Sequence, residues 1–149
     1  MKKVICLLVS FGLIFTAMLN FVYAINGNED NIETVQQTDD TIPNIFYNTH
    51  VQDYGWLGTV TNGNVSGMSE ESKRLEAIQI SLSENNYAGK IEYSTYIQDY
   101  GWQDYVGNGA ISGTTGESRR LEAIKIRLSG EISNYYDVYY RVYCQNIGW

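Results

Sequence analysis

Cysteine, proline and positive charge are all scarce in this chain of 149 residues. Its two cysteines are Cys6 and Cys144, and its one proline is Pro43. Ten basic residues face 17 acidic ones, which gives a formal net charge of −7. Binding to a phosphate backbone or to anionic lipid headgroups needs a basic footprint. The composition therefore argues against nucleic acid and anionic membrane surfaces as partners.

The N-terminus has the pattern of a secretory signal peptide. Two lysines precede an uncharged apolar stretch at residues 4–22, and Val22 and Ala24 fit the small-residue cleavage pattern. We predict that residues 1–24 are a signal peptide cleaved after Ala24, with Ala17 as the alternative site. The stretch is long enough to cross a bilayer uncleaved, but the cleavage pattern favours export. The protein is thus expected to be secreted, extracellular or attached to the cell surface, with no membrane contact after cleavage.

Cleavage after Ala24 would change both the cysteine count and the charge. It would remove Cys6, Lys2 and Lys3, leaving eight basic and 17 acidic residues, a formal charge of −9, and Cys144 as the single cysteine. No intrachain disulfide is then possible, so stability must come from packing. Residues 25–44 are polar and acidic, and we predict that they form a disordered spacer. The remaining residues, 45–149, are enough for one domain.

From residue 45 onward the chain repeats itself. Residues 52–56 read Gln-Asp-Tyr-Gly-Trp, residues 98–102 repeat them, and residues 145–149 give the looser copy Gln-Asn-Ile-Gly-Trp. The first two copies superpose without a gap at an offset of 46 residues, and the third comes one residue later. This periodicity indicates tandem units at about 45–90, 91–137 and 138–149, the last of them partial.

The pattern within each unit is typical of β-strands. Apolar and β-branched residues alternate with polar ones before each Gly-Trp, which predicts that one set faces a core and the other faces solvent. The predicted inward sets are Ile45, Tyr47, Thr49 and Val51, then Ile91, Tyr93, Thr95 and Ile97, then Val138, Tyr140, Val142 and Cys144. A second strand is predicted at 75–82 and at its copy 121–128, although the apolar spacing of 121–128 also suits a helix. The fold class is therefore expected to be all-β.

Asn-Gly pairs at residues 62–63 and 108–109 are strong signals for a two-residue hairpin turn, because both positions then need positive φ. Tandem units of this kind suit a threefold β-prism, a β-trefoil-like arrangement or a propeller blade, all of which hide their sheet edges. The third unit lacks the Asn-Gly turn and the second strand. The last strand could complete the first two units, the fold could be open, or the reading frame could be truncated.

The repeated residues resemble the ChW repeat, a clostridial hydrophobic repeat named for its tryptophan. The resemblance is most specific in the second unit, through Gly101-Trp102, Gly109, residues 113–116 (Gly-Thr-Thr-Gly) and residues 120–124 (Arg-Leu-Glu-Ala-Ile). The first unit departs from it at residues 67–70, and the third retains only its Gly-Trp portion. The resemblance implies a secreted or surface protein of a Gram-positive anaerobe. It also implies interaction with polysaccharides, surfaces or other proteins.

The repeated tryptophans and the polar residues before them are the candidate binding residues. An indole offers a flat apolar platform and one hydrogen-bond donor to a sugar, and nearby carboxylates and amides recognise hydroxyls. The candidates are Trp56, Trp102, Trp149, Gln52, Gln98, Asp53 and Asp99. The competing interpretation is structural: each Trp could fill the core of its unit, and each Asp could stabilise its own turn.

Other repeated residues are predicted to be structural. They are Gly55, Gly101, Gly148, Arg74, Glu76, Arg120 and Glu122. Each Arg and Glu stand two apart on a strand and face the same way, so we expect ion pairs between repeats that fix the register. Glutamates copied in every unit argue against a single catalytic carboxylate pair. His50 has no visible acid or nucleophile partner, which argues against a catalytic triad or a metal site.

These patterns favour a noncatalytic binding module without a cofactor or metal, with a polysaccharide bound through repeated weak sites. The alternative is a module for protein interaction or surface assembly, in which an outer face with Tyr96, Tyr139 and Tyr143 forms the interface and oligomers are possible. A truncated fragment of a larger secreted repeat protein is the third interpretation, together with an enzyme that depends on Glu122.

Overall fold

The computed structural model describes residues 3–6, 42–68 and 71–149. The predicted cleavage site and most of the predicted spacer lie outside the described residues. Strand β1 (Lys3–Cys6) runs parallel to β11 (Tyr136–Tyr139). Because β1 falls within the predicted signal peptide, cleavage after Ala24 would remove this pairing.

The first unit is an antiparallel sheet built around β2 (Ile45–Val51). On one side β2 pairs with β5 (Leu75–Leu82), from Ile45 opposite Leu82 to Val51 opposite Leu75. On its other side the chain turns back through two short strands, β3 (Gly55–Trp56) and β4 (Val60–Thr61). The strands predicted at 45–51 and 75–82 are confirmed at both ends.

The second unit has the same arrangement. Its central strand β6 (Gly89–Ile97) pairs with β10 (Leu121–Gly130) on one side, and with β7 (Gly101–Trp102) and β8 (Val106–Gly107) on the other. The strand interpretation of 121–128 is confirmed, since β10 is extended over its whole length. The fold is therefore all-β, with two antiparallel sheets as its main elements.

The Asn-Gly turn has the predicted backbone but a different role. Asn62 and Gly63 have φ of 43° and 81°, and Asn108 and Gly109 have 47° and 85°. The hairpin that we predicted is wrong, because the turn of the second unit joins strands of different sheets. It leads from β8, which pairs with β6, to β9 (Ser112–Gly113), which pairs with β5 of the first unit. This crossing ties the two units together.

The core lies under the two central strands. All eight residues predicted to face inward in the first two units are buried: Ile45, Tyr47, Thr49, Val51, Ile91, Tyr93, Thr95 and Ile97. Ile132 and Tyr136 join the same cluster. Tyr93 also links the sheets through its hydroxyl, which accepts a hydrogen bond from the Ile80 N–H at 3.0 Å and donates one to the Ala110 carbonyl.

The third unit departs from the prediction. A short 3-10 helix (Glu131–Asn134) leads into β11, but the strand ends at Tyr139. Tyr140, Val142 and Cys144 are exposed, so the inward positions predicted for them are wrong. Strands β2 and β6 are paired along both edges, whereas among the described residues 140–143 pair with no strand, so the ladder that would bury them is absent. The predicted threefold closure, prism or trefoil, stays a prediction.

Candidate functional site

The turn before each tryptophan has the same backbone in all three units. Its second residue is Asp or Asn with φ near 65°, and its fourth is a glycine, also with positive φ; the glycines are Gly55, Gly101 and Gly148. Only glycine, and less readily Asn or Asp, adopts this conformation at low cost. In each turn an N–H donates to the carbonyl three residues earlier at 3.1 Å, as from Tyr54 to the Val51 carbonyl. A residue with a Cβ in place of any of these glycines would therefore be strained.

Each tryptophan packs against the ring six positions before it. The centroids are 5.4 Å apart for His50 and Trp56, and 5.6 Å for both Tyr96–Trp102 and Tyr143–Trp149, all with edge-to-face geometry. Trp102 is 42% exposed and Trp149 54%, while Trp56 is half-buried. The structure therefore places none of the three indoles in the buried core. Each is held by one aromatic neighbour at the surface.

The candidate Gln and Asp residues anchor the turn to the strand that follows it. Asp53 Oδ2 lies 2.8 Å from Lys73 Nζ, and Asp99 Oδ2 lies 2.6 Å from Arg119 Nη1. The hydrogen bond from Lys73 holds the pKa of Asp53 below its ordinary value. The backbone N–H groups of Gln52 and Gln98 each donate to a carbonyl just before β5 or β10, at 3.0 Å.

A tyrosine in each turn contributes a contact that the sequence analysis missed. The Tyr54 hydroxyl donates to Glu71 Oε2 at 2.6 Å, and that of Tyr100 donates to Glu117 Oε2 at 3.0 Å. The hydrogen bond to Glu71 raises the pKa of Tyr54. The Arg119 guanidinium stands 4.2 Å from the Tyr100 ring centroid. Recurrence of Tyr and Glu at the same positions in both units was the available signal.

Each Arg-Glu pair forms within one repeat and not between repeats, joining the residue just before a long strand to the second residue of that strand. Arg74 Nε lies 2.8 Å from Glu76 Oε1, and Arg120 Nη2 lies 2.5 Å from Glu122 Oε1. The same-face prediction is confirmed and the inter-repeat prediction is wrong, because an arginine is long enough to reach its neighbour two positions along. The contact between repeats is instead made by the backbone of β5 and β9.

His50 does have an acidic neighbour, contrary to the sequence interpretation. Its Nδ1 lies 3.1 Å from Glu76 Oε2, without the alignment of a hydrogen bond. The register explains the proximity, since His50 pairs with Ala77, next to Glu76. Within the described part of the chain, no group of three His, Cys, Asp or Glu side chains is placed to hold a metal ion.

The outer face of the first sheet is more structured than the solvent-facing row that the sequence indicated. Phe46, Asn48 and His50 are half-buried on it. Cross-strand partners on β5 continue the face, with Gln79 opposite Asn48 and Ser81 opposite Phe46. A shallow depression of about 150 Å³ is lined by Phe46, Asn48, Gln79 and Ser81, together with Tyr47, Thr59 and Gly109. The tryptophan and its aromatic neighbour stand at one end of this face.

On the second sheet the same outer face carries rings and cations. Lys125 Nζ lies 3.9 Å from the Trp102 ring centroid, and Arg127 Cζ lies 3.9 Å from that of Tyr105. In the third unit Arg141 Cζ lies 4.9 Å from the Trp149 centroid. A cation over an aromatic face is attracted by the ring quadrupole. These cations and Tyr105 were not among the predicted site residues, because their proximity to the rings comes from cross-strand register.

Comparison with known families gives one result, and it coincides with the two complete units. A family model described as Clostridial hydrophobic W, or ChW, matches residues 50–84 and 96–130. Each match contains the Gly-Trp turn, the Asn-Gly turn and the following long strand. No curated protein and no solved structure matches the chain. Residues 50–84 and 96–130 are thus two ChW repeats.

Proposed function

We propose that this chain is an exported, noncatalytic module that binds extracellular or cell-wall polysaccharide through the aromatic outer faces of its repeats. The observation that carries the proposal is the recurrence of an exposed, aromatic-supported indole at the same place in successive units. A sugar ring stacks its apolar C–H face on such a platform. The amide groups of Asn48 and Gln79, on the outer face of the first sheet that also carries Trp56, offer hydrogen bonds to sugar hydroxyls.

Repetition supports a binding role over a catalytic one. The ChW repeat is a module that is not known as catalytic. The glutamates that recur in the repeats are already engaged, Glu71 and Glu117 by tyrosines and Glu76 and Glu122 by arginines. A long polysaccharide presents many equivalent sugars, so several weak sites on one chain bind it with an avidity that no single site provides.

The test uses the full chain exported from a Gram-positive host and the binding of the product to cellulose, xylan and peptidoglycan. We expect retention on at least one polymer and at least a tenfold loss of affinity in Trp102→Ala. The loss is expected because stacking of a sugar ring on an indole contributes a large part of the binding energy of such a site. Ile111→Ala is the control, since Ile111 is equally exposed but outside the aromatic pairs. Far-UV circular dichroism checks that each variant is folded.

Four outcomes would count against the proposal. Retention on no polymer, or unchanged retention of Trp102→Ala, would overturn the binding function. A product whose N-terminus is Met1 and not Ile25 would overturn the export proposal without touching the binding result. An affinity loss in Ile111→Ala equal to that in Trp102→Ala would show that surface hydrophobicity alone is responsible.

A second candidate, protein interaction or surface assembly, is favoured by the C-terminal segment. Tyr139, Tyr143 and Ile147 are all exposed, Ile147 at 85%. Apolar residues of this size on one short segment are typical of protein interfaces. A mass that doubles with concentration in light scattering, and is unaffected by any polysaccharide, would favour this function over the first.

A further inference from the structure

The two sheets present chemically different outer faces at matching positions. Lys125 and Arg127 on β10 stand where the first unit has Gln79 and Ser81 on β5. Gln79 is engaged, since its Nε2 donates to the Gly109 carbonyl at 3.0 Å. The outer face of the first sheet is therefore neutral, and part of its hydrogen-bonding capacity is already used. The outer face of the second sheet instead carries two cations beside two exposed rings.

The charges on the second face do not cancel. Glu92 is paired twice, with Arg127 Nε at 2.8 Å and with Lys90 Nζ at 3.0 Å. These two cations hold the pKa of Glu92 below its ordinary value. Among the described residues Lys125 has no carboxylate partner within salt-bridge distance, and its ammonium stands over the Trp102 ring. A local excess of positive charge thus remains on a chain whose net charge is −7.

This excess is placed where a sugar would stack. Register puts Lys125 opposite Ser94 and Ala123 opposite Tyr96, so the ammonium and the Tyr96–Trp102 pair share one face of the sheet. A cation over a ring remains charged and retains hydrogen-bond donors. The Lys125 ammonium, 3.9 Å from the Trp102 ring centroid, therefore stands beside the surface that a stacked sugar would contact.

We propose that the second repeat selects acidic sugars, with Trp102 as the stacking platform and the Lys125 ammonium as the ligand of a uronic acid carboxylate. The proposal rests on the glycan-binding function proposed above and names the class of sugar for one face. A charge-assisted hydrogen bond is stronger than a neutral one, and a neutral sugar would leave the ammonium without it. The neutral face of the first repeat carries no such preference.

The experiment titrates the full chain with trigalacturonate and with its fully methyl-esterified form, which has the same rings without charge. We expect the free acid to bind about tenfold more tightly, as for one added charge-assisted hydrogen bond, and the preference to shrink with salt. In Lys125→Gln, which installs the residue of the first repeat, both forms should bind equally. Lys125→Arg should retain the preference.

Lys90→Gln is the matched control, because it removes the same charge from the same strand pair without touching a ring. Loss of the preference in Lys90→Gln as large as in Lys125→Gln would overturn the assignment and indicate a general charge effect. Equal binding of acid and ester by the unmodified chain would also overturn it, while leaving the glycan-binding function intact. Binding to neither galacturonide nor to cellulose, xylan or peptidoglycan would remove the underlying function as well.

Discussion

The two ChW repeats share a sequence framework but differ in what covers their last long strand. Strand β9, which belongs to the second repeat, pairs with β5 of the first repeat, with Ala77 opposite Gly113 and Ile78 opposite Ser112. Among the residues that the structure describes, β10 of the second repeat has no strand in the corresponding place. The same five letters, Arg-Leu-Glu-Ala-Ile, therefore lie in two environments.

The burial of these residues depends on whether a neighbouring strand covers them and not on their own sequence. Ala77 is fully buried and Glu76 is 4% exposed, whereas their copies Ala123 and Glu122 are both exposed. The comparison teaches that the first repeat is not an independent unit, because its long strand is covered by a segment of the second repeat. This is the nearest-neighbour logic of repeat proteins.

The largest expected effect comes from adding a methyl group where β9 lies closest to β5. A Cβ on Gly113 would stand 2.4 Å from the Glu76 carbonyl oxygen and 2.6 Å from Ala77 Cα, while one on Gly67, its copy, would meet only Leu75 Cδ2 at 3.4 Å. Both glycines have positive φ, 122° and 131°. We expect Gly113→Ala to lower the free energy of unfolding by about 3–4 kcal/mol and Gly67→Ala by about 1–2 kcal/mol. Urea denaturation of both variants measures the difference, and equal losses would contradict the role of β9.

An intermediate effect is expected from the buried carboxylate. Glu76 accepts from Arg74 and lies beside His50, whereas Glu122 has only its arginine and more solvent. Glu76→Gln should lower the free energy of unfolding by about 1.5–3 kcal/mol, because hydrogen bonds to a buried charge are lost. Glu122→Gln should stay within about 0.5 kcal/mol of the unmodified chain. Thermal unfolding of the pair tests this, and a larger loss in Glu122→Gln would reverse the comparison.

Local patterns in the sequence predicted much of the fold. The period-two alternation of residues 45–51 and 91–97 identified both central strands and their inward residues, and Asn-Gly identified the turn backbone. What could not be predicted was pairing over distance. The pairing of Ser112 with Ile78 joins different repeats, and neither segment's sequence identifies its partner, so the Asn-Gly pair alone predicts a hairpin within one repeat. Cys144 was placed inside because its alignment with Val51 says nothing of a missing partner strand.

The same distinction between local pattern and long-range pairing applies to the candidate site. Repetition alone identified the tryptophans and the turn residues, because a motif that recurs is visible without a structure. Lys125 and Tyr105 escaped notice, because the first becomes part of the face only through the register of β10 against β6, and the second only through Arg127. Outward positions that vary between repeats were interpreted as uniform solvent surface, although this variation is what makes the two faces chemically different.

The smallest expected effect concerns the ion pair that joins each Gly-Trp turn to the following strand. The cation of this pair is a lysine in the first repeat and an arginine in the second. The Lys73 hydrogen bond lowers the pKa of Asp53 in the folded chain, so folding favours the ionised form. The stabilisation is complete above the unfolded pKa of Asp, about 3.9, and is lost as pH falls through the lower folded value. Lys73→Gln should raise the Asp53 pKa toward its ordinary value, because the largest of its lowering contacts is lost, and Lys73→Arg, which keeps a cation at this position, should keep it low. Carboxyl titration by NMR measures the Asp53 pKa in both variants. Because the ion pair is exposed and screened by solvent, its effect on the free energy of unfolding should be small. An Asp53 pKa that is unchanged in Lys73→Gln would mean that the turn backbone, which is common to both repeats, sets it.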